Sequence, residues 1–375
     1  MNIGILGGGQ LGRMIALAGI DLDIHCRVLE PGATCPAAAV AEHIDGEFED
    51  YAVLWRFAAG LDAITLEFEN VPVASAEWLA ERLPVYPPPA ALSIAQDRIR
   101  EKTFFAQRGI AVPEFRAVES REDLEYAIAD LGLPAVLKTT RFGYDGKGQG
   151  VISTPAQIDE VWASLGGRSL IYEAFVPFER ELSILGCRSR SGEIVFWPPT
   201  ENHHRDGMLR RSIAPAPGLT AEIETRAQGI ARRTLDDLNY VGVLAIELFE
   251  CGGELIVNEM APRVHNSGHW TTEASETSQF ANHLRAVAGL PLGSTRMRGP
   301  CEMWNIIGSI PPIEMLLMIP GLSLHLYGKK PRPGRKLGHL TIAAPDADAL
   351  AQRSREVARL VGEVRAEDAI AGHRG

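Results

Sequence analysis

The sequence predicts a mixed fold that combines α/β and α+β parts, with a parallel sheet at the start of the chain. Apolar strand-like segments first alternate with helix-like segments, which is the order found in a parallel sheet covered by helices. After Gln96 the pattern changes to a polar helix followed by strands that lie close together in sequence. The chain has 375 residues, too many for one ordinary hydrophobic core, so two or three domains are expected.

Residues 1–95 are predicted to form the first domain. An apolar strand at 2–6 leads through a glycine-rich turn into a helix at 11–20. Three consecutive prolines at 87–89 stiffen the chain because proline fixes φ, so a boundary is expected near residue 95. The remaining strands of this domain are predicted at 27–29, 63–66 and 85–86.

Residues 96–295 are predicted to form a second domain, and residues 296–375 a small third domain. The second boundary is placed where proline and glycine become more frequent. In the second domain, helices are predicted at 97–108, 155–165 and 221–238, and strands at 134–138, 150–153, 170–176, 243–249 and 255–260. The third domain is predicted to contain a helix at 347–361.

The composition is that of a globular enzyme and excludes several classes of protein. The net charge of −11 argues against broad nucleic-acid or membrane binding, since both need a basic face. No segment approaches the roughly 20 apolar residues that cross a bilayer, and the first residues carry no basic leader. The five cysteines lack CxxC spacing and the ten histidines form no HExxH motif, so no zinc site is expected. The resulting expectation is a cytoplasmic protein with reduced thiols.

The first candidate ligand site is the glycine-rich turn between the first strand and the first helix. Gly7, Gly9 and Gly12 match GxGxxG, and Glu30 follows at a distance typical of a dinucleotide fingerprint. Glycines let the backbone approach an anion, and a helix N-terminus supplies N–H groups and a partial positive charge. Any phosphate monoester could use the same arrangement. Three interpretations therefore stay open: a nicotinamide dinucleotide site, another phosphate site, or a purely structural turn.

A second glycine-rich segment follows the strand that ends at Lys138. It contains Gly143, Gly146, Gly148 and Gly150, but no GK[ST] leads into a helix, so it is not a Walker A loop. A flexible loop between two strands can instead close over a triphosphate, with backbone N–H groups and Lys138 as phosphate ligands. The alternative is a mobile hairpin tip with an exposed lysine.

Carboxylates interrupt several of the later apolar segments. Glu173 and Glu181 could line an adenine slot and accept hydrogen bonds from a ribose, or could equally be solvated strand residues. Glu247 and Glu259 each lie six positions from Gly253, so a hairpin that turns there would place them opposite each other. Two such carboxylates repel unless a cation lies between them, and together with phosphate oxygens they suit Mg²⁺. The alternative is that one of the two faces solvent.

The candidate residues occur in an order that resembles one enzyme superfamily. Arg98, Lys138, the GYDGKGQG loop, Glu173, Glu181, Glu247 and the pair Asn258-Glu259 are similar to the nucleotide-binding residues of ATP-grasp enzymes. More specific signatures are GGGQLG at 7–12, EFENV at 67–71, ENHHRDGML at 201–209, NEMAPRVHNSGHWT at 258–271 and GRKLGHLTI at 334–342. Over almost its whole length the chain resembles the N5-carboxyaminoimidazole ribonucleotide synthases of purine biosynthesis.

The resemblance implies an ATP-grasp fold. It comprises a Rossmann-like pre-ATP-grasp domain, an ATP-grasp body with a mobile lid over about 113–176, and a small C-terminal domain. ATP would be a co-substrate, with Mg²⁺, or Mn²⁺ in its place, held by Glu247 and Glu259. One departure is Ala261, where many broader relatives have asparagine, so coordination would rely more on phosphates and water. The residues expected to contact ATP are Arg98, Lys138, Gly143, Tyr144, Asp145, Gly146, Lys147, Gly148, Gln149, Glu173, Ala174, Phe175, Val176, Glu181, His204, Asn258 and Glu259.

The resemblance also implies the reaction and its remaining ligands. ATP, bicarbonate and 5-aminoimidazole ribonucleotide would give the N5-carboxylated ribonucleotide, ADP and phosphate through carboxyphosphate, in a homodimeric enzyme. Lys138, Asp145, Arg263 and His265 would be the catalytic residues, although a structural role for His265 fits the sequence equally well. The residues expected to bind the ribonucleotide are Gly9, Gln10, Leu11, Glu69, Tyr144, Asp145, Arg263, His265, Asn266, Ser267, Lys329, Arg335 and Lys336.

Three other functions are compatible with parts of the sequence. A related ATP-grasp ligase that uses another acid, such as formate, would keep the ATP and metal residues but differ around 263–270 and 329–339. A nicotinamide-dependent oxidoreductase would explain the turn at 7–12 and leave 138–150 and 243–260 unexplained. A nucleotide-binding regulatory protein would bind ATP without releasing phosphate.

Overall fold

The first part of the chain forms a parallel four-stranded sheet, as predicted. The computed structural model describes residues 1–143 and 148–362. The strands of the first sheet are β1 (Asn2–Leu6), β2 (His25–Leu29), β3 (Glu42–Ile44) and β4 (Ala63–Leu66), and its helices are α1 (Gln10–Ile20), α2 (Tyr51–Ala58), α3 (Val73–Ala80) and α4 (Pro89–Ala95). The strand order is β3-β2-β1-β4, and every pair is parallel.

The apolar strand sequences explain why this sheet lies in the interior. Ile3 and Ile5 of β1 and Val28 of β2 are fully buried, as expected for parallel strands with helices on both faces. The strand predicted at 85–86 is reduced to a single parallel bridge between Val85 and Ile64. Proline follows at once and cannot donate to a ladder, which explains why the strand goes no further.

A second sheet of four strands follows. Its strands are β5 (Phe115–Val118), β6 (Ala135–Thr139), β7 (Gln149–Ile152) and β8 (Leu170–Ala174), and the helices next to it are α6 (Arg121–Leu131) and α7 (Ile158–Leu165), whereas α5 (Arg98–Ala106) packs against α4 and the large sheet described next. The strand order is β5-β8-β6-β7, with every pair antiparallel. The strand predicted at 170–176 ends earlier, at Ala174, so Phe175 and Val176 leave the sheet.

The third and largest sheet has nine strands. They are β9 (Arg180–Arg188), β10 (Ile194–Phe196), β11 (Thr200–Arg205), β12 (Met208–Ala214), β13 (Gly242–Cys251), β14 (Glu254–Ala261), β15 (Cys301–Ile307), β16 (Leu322–Leu326) and β17 (Lys336–Ala343). Its helices are α8 (Ala221–Asp237), α9 (Thr271–Ala274), α10 (Gln279–Ala288), α11 (Ile313–Leu317) and α12 (Ala347–Leu360). The order is β14-β13-β9-β11-β12-β15-β17-β16, with β10 beside β9. Helices predicted at 97–108, 221–238 and 347–361 are thus confirmed as α5, α8 and α12, with small changes at their ends.

The large sheet crosses the boundary predicted near residue 296. Strand β12 pairs with β15 from Arg211 opposite Trp304 to Ala214 opposite Cys301, so backbone hydrogen bonds connect the two predicted domains. The division of the chain at residues 95 and 295 stays a prediction. Across the described ranges, no helix is both long and apolar enough to cross a membrane.

A buried histidine joins the first sheet to the large sheet. His283 of α10 accepts a hydrogen bond at Nδ1 from the Val243 N–H of β13 at 3.0 Å, and its Nε2 lies 2.8 Å from the Thr65 hydroxyl of β4. Because Nδ1 is the acceptor, the ring proton lies on Nε2, which donates to Thr65. Burial lowers the pKa of His283 to about 4, so the ring stays neutral in the folded protein.

The free energy of unfolding is expected to fall between about pH 6.5 and pH 4, with His283 contributing at most about 3 kcal/mol. Its folded-state pKa lies below its ordinary value, so the unfolded chain takes up the proton first and acid favours unfolding. Urea unfolding across this pH range would measure the effect in the wild type and in His283→Leu. The variant should be less stable at neutral pH, because two polar partners lose a bond, and should have a shallower pH slope. An unchanged slope would contradict the assignment, and exposed His25→Gln is the control.

Candidate active site

The hairpin of β13 and β14 places Glu247 directly opposite Glu259, as predicted. The reason differs from the one deduced from sequence. The turn includes both Gly252 and Gly253, and near its tip Cys251 pairs with Glu254, a register that would place Asn258 opposite Glu247. A bulge shifts the register of β14 by one residue, so Asn258 has no opposite residue in β13. Glu259 is thereby placed opposite Glu247. Without the bulge, the two carboxylates would point to opposite faces of the sheet.

The two opposed carboxylates have different electrostatic surroundings. Burial and the neighbouring charge of Glu259 raise the pKa of Glu247 to about 7. Burial acts in the same direction on Glu259, but Arg98, whose guanidinium donates to it at 2.8 Å, outweighs burial and lowers its pKa to about 2. His265 also lies beside Glu247, with Nε2 at 3.6 Å from a carboxylate oxygen. A cation between the carboxylates would relieve their repulsion, so this pair can hold a metal ion.

A chain of buried hydroxyl and amide groups orients His265. Ser212 donates to Asn202, Asn202 donates to Ser183 and Ser183 donates to Ser267, over distances of 2.7, 2.9 and 2.9 Å. Ser267 in turn contacts His265 Nδ1 through its hydroxyl at 2.9 Å and its N–H at 3.3 Å. Nδ1 is therefore an acceptor, and the Nε2 proton faces Glu247. Ser267, predicted to bind substrate, has a fully buried side chain that serves this chain of bonds.

Lys138 and Glu173 form a buried ion pair on the second sheet. The ammonium donates to Glu173 Oε2 at 2.8 Å, and Lys102 lies 3.7 Å from the same oxygen. Burial raises the pKa of Glu173, but the two ammonium groups outweigh it and the net pKa is lowered. The second oxygen, Oε1, is buried and has no hydrogen-bond partner among the described residues. A ligand N–H group would satisfy it.

The other predicted ATP residues lie on neighbouring elements. Glu181 Oε2 lies 2.9 Å from His204 Nδ1; burial lowers the pKa of His204, but Glu181 and the charge of Glu247 together outweigh it and raise the pKa. Phe175, just beyond β8, is exposed. Asn258, at the bulge, has a buried side-chain oxygen with no partner in the described part of the chain. Gly143, Gly148, Gln149, Ala174 and Val176 border the same strands, and Tyr144, Asp145, Gly146 and Lys147 lie outside the described residues.

The first glycine loop closes around a carboxylate of the protein itself. Glu67, at the end of β4, accepts hydrogen bonds from the N–H groups of Gly9 and Gly12 at 2.6 and 2.7 Å. A Cβ atom added at Gly7 or Gly9 would lie 2.4 Å from Glu67 atoms, so the glycines make room for this side chain. Glu30 accepts from the Gly8 N–H at 2.9 Å. Two carboxylates thus occupy much of the loop that a dinucleotide pyrophosphate would need, and sequence reasoning missed Glu67.

The predicted ribonucleotide residues meet from four separate parts of the chain. Lys329 donates to the Gln10 side chain, and half-buried Arg263 forms an ion pair with Glu69. Among the described residues, the N–H groups of Gln10 and Leu11 have no acceptor, so they are available to an anion. Asn266 is held by a pair of amide hydrogen bonds to Asn305, Arg335 donates to the Lys330 carbonyl of its own loop at 3.4 Å, and Lys336 begins β17.

A cavity connects the two groups of predicted residues. Glu69 from the ribonucleotide group lines it together with Arg98, Gly143 and Glu259 from the ATP group. A larger cavity of about 670 Å³ lies against α1 and residues 38–42, and none of the predicted site residues line it. The smaller cavity, of about 50 Å³, is thus bordered by residues predicted for both ligands.

Family models match three successive parts of the chain. The ribonucleotide synthetase preATP-grasp domain matches residues 1–96, the ATP-grasp domain matches residues 103–280, and the phosphoribosylaminoimidazole carboxylase C-terminal domain matches residues 301–353. The fold and the site thus define an ATP-grasp ligase. This result decides against the nicotinamide-dependent oxidoreductase suggested by the glycine loop.

Individual relatives show which family of ATP-grasp ligases the chain belongs to. N5-carboxyaminoimidazole ribonucleotide synthase of Pseudomonas aeruginosa is 46% identical over 361 residues, which are 96% of this chain and 99% of the relative. The structure of the synthetase from Thermus thermophilus is 53% identical, with a TM-score of 0.93 and coverage of 96% and 99%. The Aspergillus clavatus enzyme, in complex with ADP and 5-aminoimidazole ribonucleotide, is 30% identical, with a TM-score of 0.90 and coverage of 97% and 99%. The chain belongs to the N5-carboxyaminoimidazole ribonucleotide synthase family.

Proposed function

We propose that this chain carboxylates 5-aminoimidazole ribonucleotide with bicarbonate and ATP, and releases N5-carboxyaminoimidazole ribonucleotide, ADP and phosphate in purine biosynthesis. The observation that carries the proposal is the cavity that connects the two groups of site residues. It is lined by Arg98 and Glu259 on one side and by Glu69, the ion-pair partner of Arg263, on the other. Family membership supports the same reaction. We also propose a homodimer, as the family resemblance implies.

We propose that Glu247 and Glu259 hold Mg²⁺, with Mn²⁺ as an alternative ion. Their opposed carboxylate oxygens are the ligands that Mg²⁺ prefers. Within the described residues no third histidine, cysteine or carboxylate completes a metal cluster, so phosphate oxygens and water would supply the remaining ligands. When bound, the ion neutralises charge on the phosphates of ATP.

The first chemical step activates bicarbonate, which is a weak electrophile. A bicarbonate oxygen forms a bond to the γ-phosphorus while the bond to the ADP oxygen breaks, giving carboxyphosphate and ADP. Lys138 and Arg98 would neutralise the charge that spreads over the transferred group. Glu173 keeps the Lys138 ammonium in position, with 2.8 Å between the two groups.

The second step transfers the carboxyl group to the ribonucleotide. The exocyclic amine attacks the carboxyl carbon, the bond to phosphate breaks, and the proton lost by the amine passes to the departing phosphate. Burial and Arg263 lower the pKa of His265 to about 3, and Nδ1 already accepts from Ser267. We therefore assign His265 the task of orienting Glu247 rather than that of a base. Asp145, the other predicted candidate, lies outside the described residues.

The proposed reaction predicts that ADP formation requires both bicarbonate and 5-aminoimidazole ribonucleotide. The measurement is ADP release from Mg·ATP with each substrate omitted in turn, together with acid-labile carbon dioxide recovered from the product. Stimulation by formate instead of bicarbonate would identify a ligase that uses another acid. ATP binding without ribonucleotide-dependent ADP release would overturn the proposed substrate.

A further inference from the structure

The bulge at Asn258 determines which residue of β14 lies opposite Glu247 of β13. This bulge lies in an edge strand of the large sheet. Strand β14 is the outermost strand, so one side of its backbone has no neighbouring strand among the described residues. A bulge there leaves backbone N–H and C=O groups unpaired, which costs free energy unless other groups bond them. Edge strands also change register easily when nothing holds them.

Two consecutive residues of α5 bond the backbone on both sides of Glu259. The ammonium of Lys102 donates to the carbonyl oxygens of Val257 and Asn258 at 3.3 and 2.6 Å. The N–H of Met260 donates to a carboxylate oxygen of Glu101 at 2.6 Å. Hydrogen bonds from α5 thus hold the backbone of the bulge immediately before and immediately after Glu259.

Lys102 also connects the bulge to the second sheet. Its side chain is fully buried, and the ammonium lies 3.7 Å from the Glu173 carboxylate that accepts from Lys138. A buried ammonium is costly unless its three donors have partners. Here two carbonyl groups and one carboxylate surround it. One side chain therefore couples the strand that carries Glu259 to the strand that carries Glu173.

We propose that Glu101 and Lys102 are positioning residues, which hold the bulge at Asn258 and thereby keep Glu259 opposite Glu247. Their hydrogen bonds and ion pair connect them to Glu259 through its neighbours in β14 and to Glu173, although Glu101 also lines the smaller cavity. The inference rests on the proposed function of Glu247 and Glu259 as magnesium ligands. If the bulge were lost, Glu259 would turn to the other face of the sheet and only one carboxylate would remain at the ion.

The test compares the variants Glu101→Leu and Glu101→Gln. Leucine and glutamine are similar in size, but only glutamine can accept a hydrogen bond from the Met260 N–H. The readouts are the Mg²⁺ concentration for half-maximal ADP release and direct Mn²⁺ binding in the presence of ATP without the ribonucleotide. Glu101→Leu should weaken metal binding about 10- to 100-fold. Glu101→Gln should restore most of this loss, and neither should change KM for the ribonucleotide. Arg100→Met, on the exposed side of α5, is the control.

Hydrogen exchange of the wild type provides a test that does not depend on how the variants fold. The Met260 amide should be protected despite its place on an edge strand, because Glu101 bonds it. Exchange as fast as at the Gly253 amide of the hairpin turn would overturn the proposal, as would wild-type metal binding in Glu101→Leu. Loss of Mn²⁺ binding in Glu101→Leu, with no ribonucleotide-dependent turnover in the wild type, would support positioning and contradict only the proposed substrate.

Discussion

Replacing Glu259 with glutamine is expected to lower kcat for ADP release by about a thousandfold, equivalent to roughly 4 kcal/mol of transition-state stabilisation. The amide preserves the size of the side chain but removes its negative charge. It therefore weakens the proposed ion site and leaves the Arg98 guanidinium, 2.8 Å away, without its carboxylate partner. The measurement is steady-state ADP release at saturating ATP, ribonucleotide and Mg²⁺, with Mn²⁺ binding measured in parallel.

The same strand offers a matched control for this substitution. Glu254 lies at the tip of the hairpin, is largely exposed and pairs with Arg226, so Glu254→Gln should retain wild-type turnover. Thermal unfolding of both variants checks that each is folded at the assay temperature, because Glu259→Gln also removes the carboxylate partner of Arg98. If Glu259→Gln kept more than about a tenth of the wild-type kcat, the contribution of this carboxylate would be under about 1.4 kcal/mol and the metal assignment would fail.

The elements that could be predicted from the sequence are those whose apolar pattern is continuous. Strands β1, β4 and β13 are apolar runs, and their positions were predicted within a few residues. Strands β9, β11 and β12 were missed because hydrogen-bonded polar residues lie in their interior. Ser183, Asn202 and Ser212 are buried side by side and form hydrogen bonds with one another. Their polar composition is typical of a loop, but the residues lie in the middle of a sheet.

In the candidate site, too, features set by nearby residues could be predicted, whereas contacts between distant parts of the chain could not. Opposition of Glu247 and Glu259 was predicted from equal spacing about Gly253, but the structure achieves it through a bulge that spacing alone does not reveal. Glu67 was missed because its partners are glycine N–H groups more than fifty residues earlier in the chain. Contacts over such distances depend on which strands become neighbours.

One signal in the sequence could have identified Lys102. Lysine is rare in this chain, whose basic residues are mostly arginine, and the other lysines all lie in segments predicted to belong to the site: 138, 147, 329, 330 and 336. A lysine can supply a compact, strongly localised charge, whereas arginine presents a planar fork. Lys102 was instead included in a polar helix, and its burial became evident only from the packing of α5 against β14.

Replacing Lys138 with methionine is expected to lower kcat/KM for ATP by about 10²- to 10³-fold. Methionine keeps most of the apolar stem but removes the ammonium proposed to contact the transferred phosphate. KM for the ribonucleotide should change little, because the residues proposed to bind it lie on other elements. The measurement is initial-rate kinetics with each substrate varied in turn, and Arg121→Met, at the partly exposed first residue of α6, is the control. A loss confined to ribonucleotide binding would contradict the assignment of Lys138 to ATP.

A double-mutant cycle with Glu173→Leu, which removes both carboxylate oxygens, separates two tasks of that glutamate. If Glu173 only holds Lys138, the double variant should be no worse than Lys138→Met alone. We expect a further loss of about tenfold, or about 1.4 kcal/mol, because Glu173 Oε1 is buried without a partner in the described residues and is free to accept from the nucleotide. An additive cycle would mean that the glutamate acts on ATP independently of the lysine. Complete non-additivity would mean that the 2.8 Å ion pair is its whole contribution.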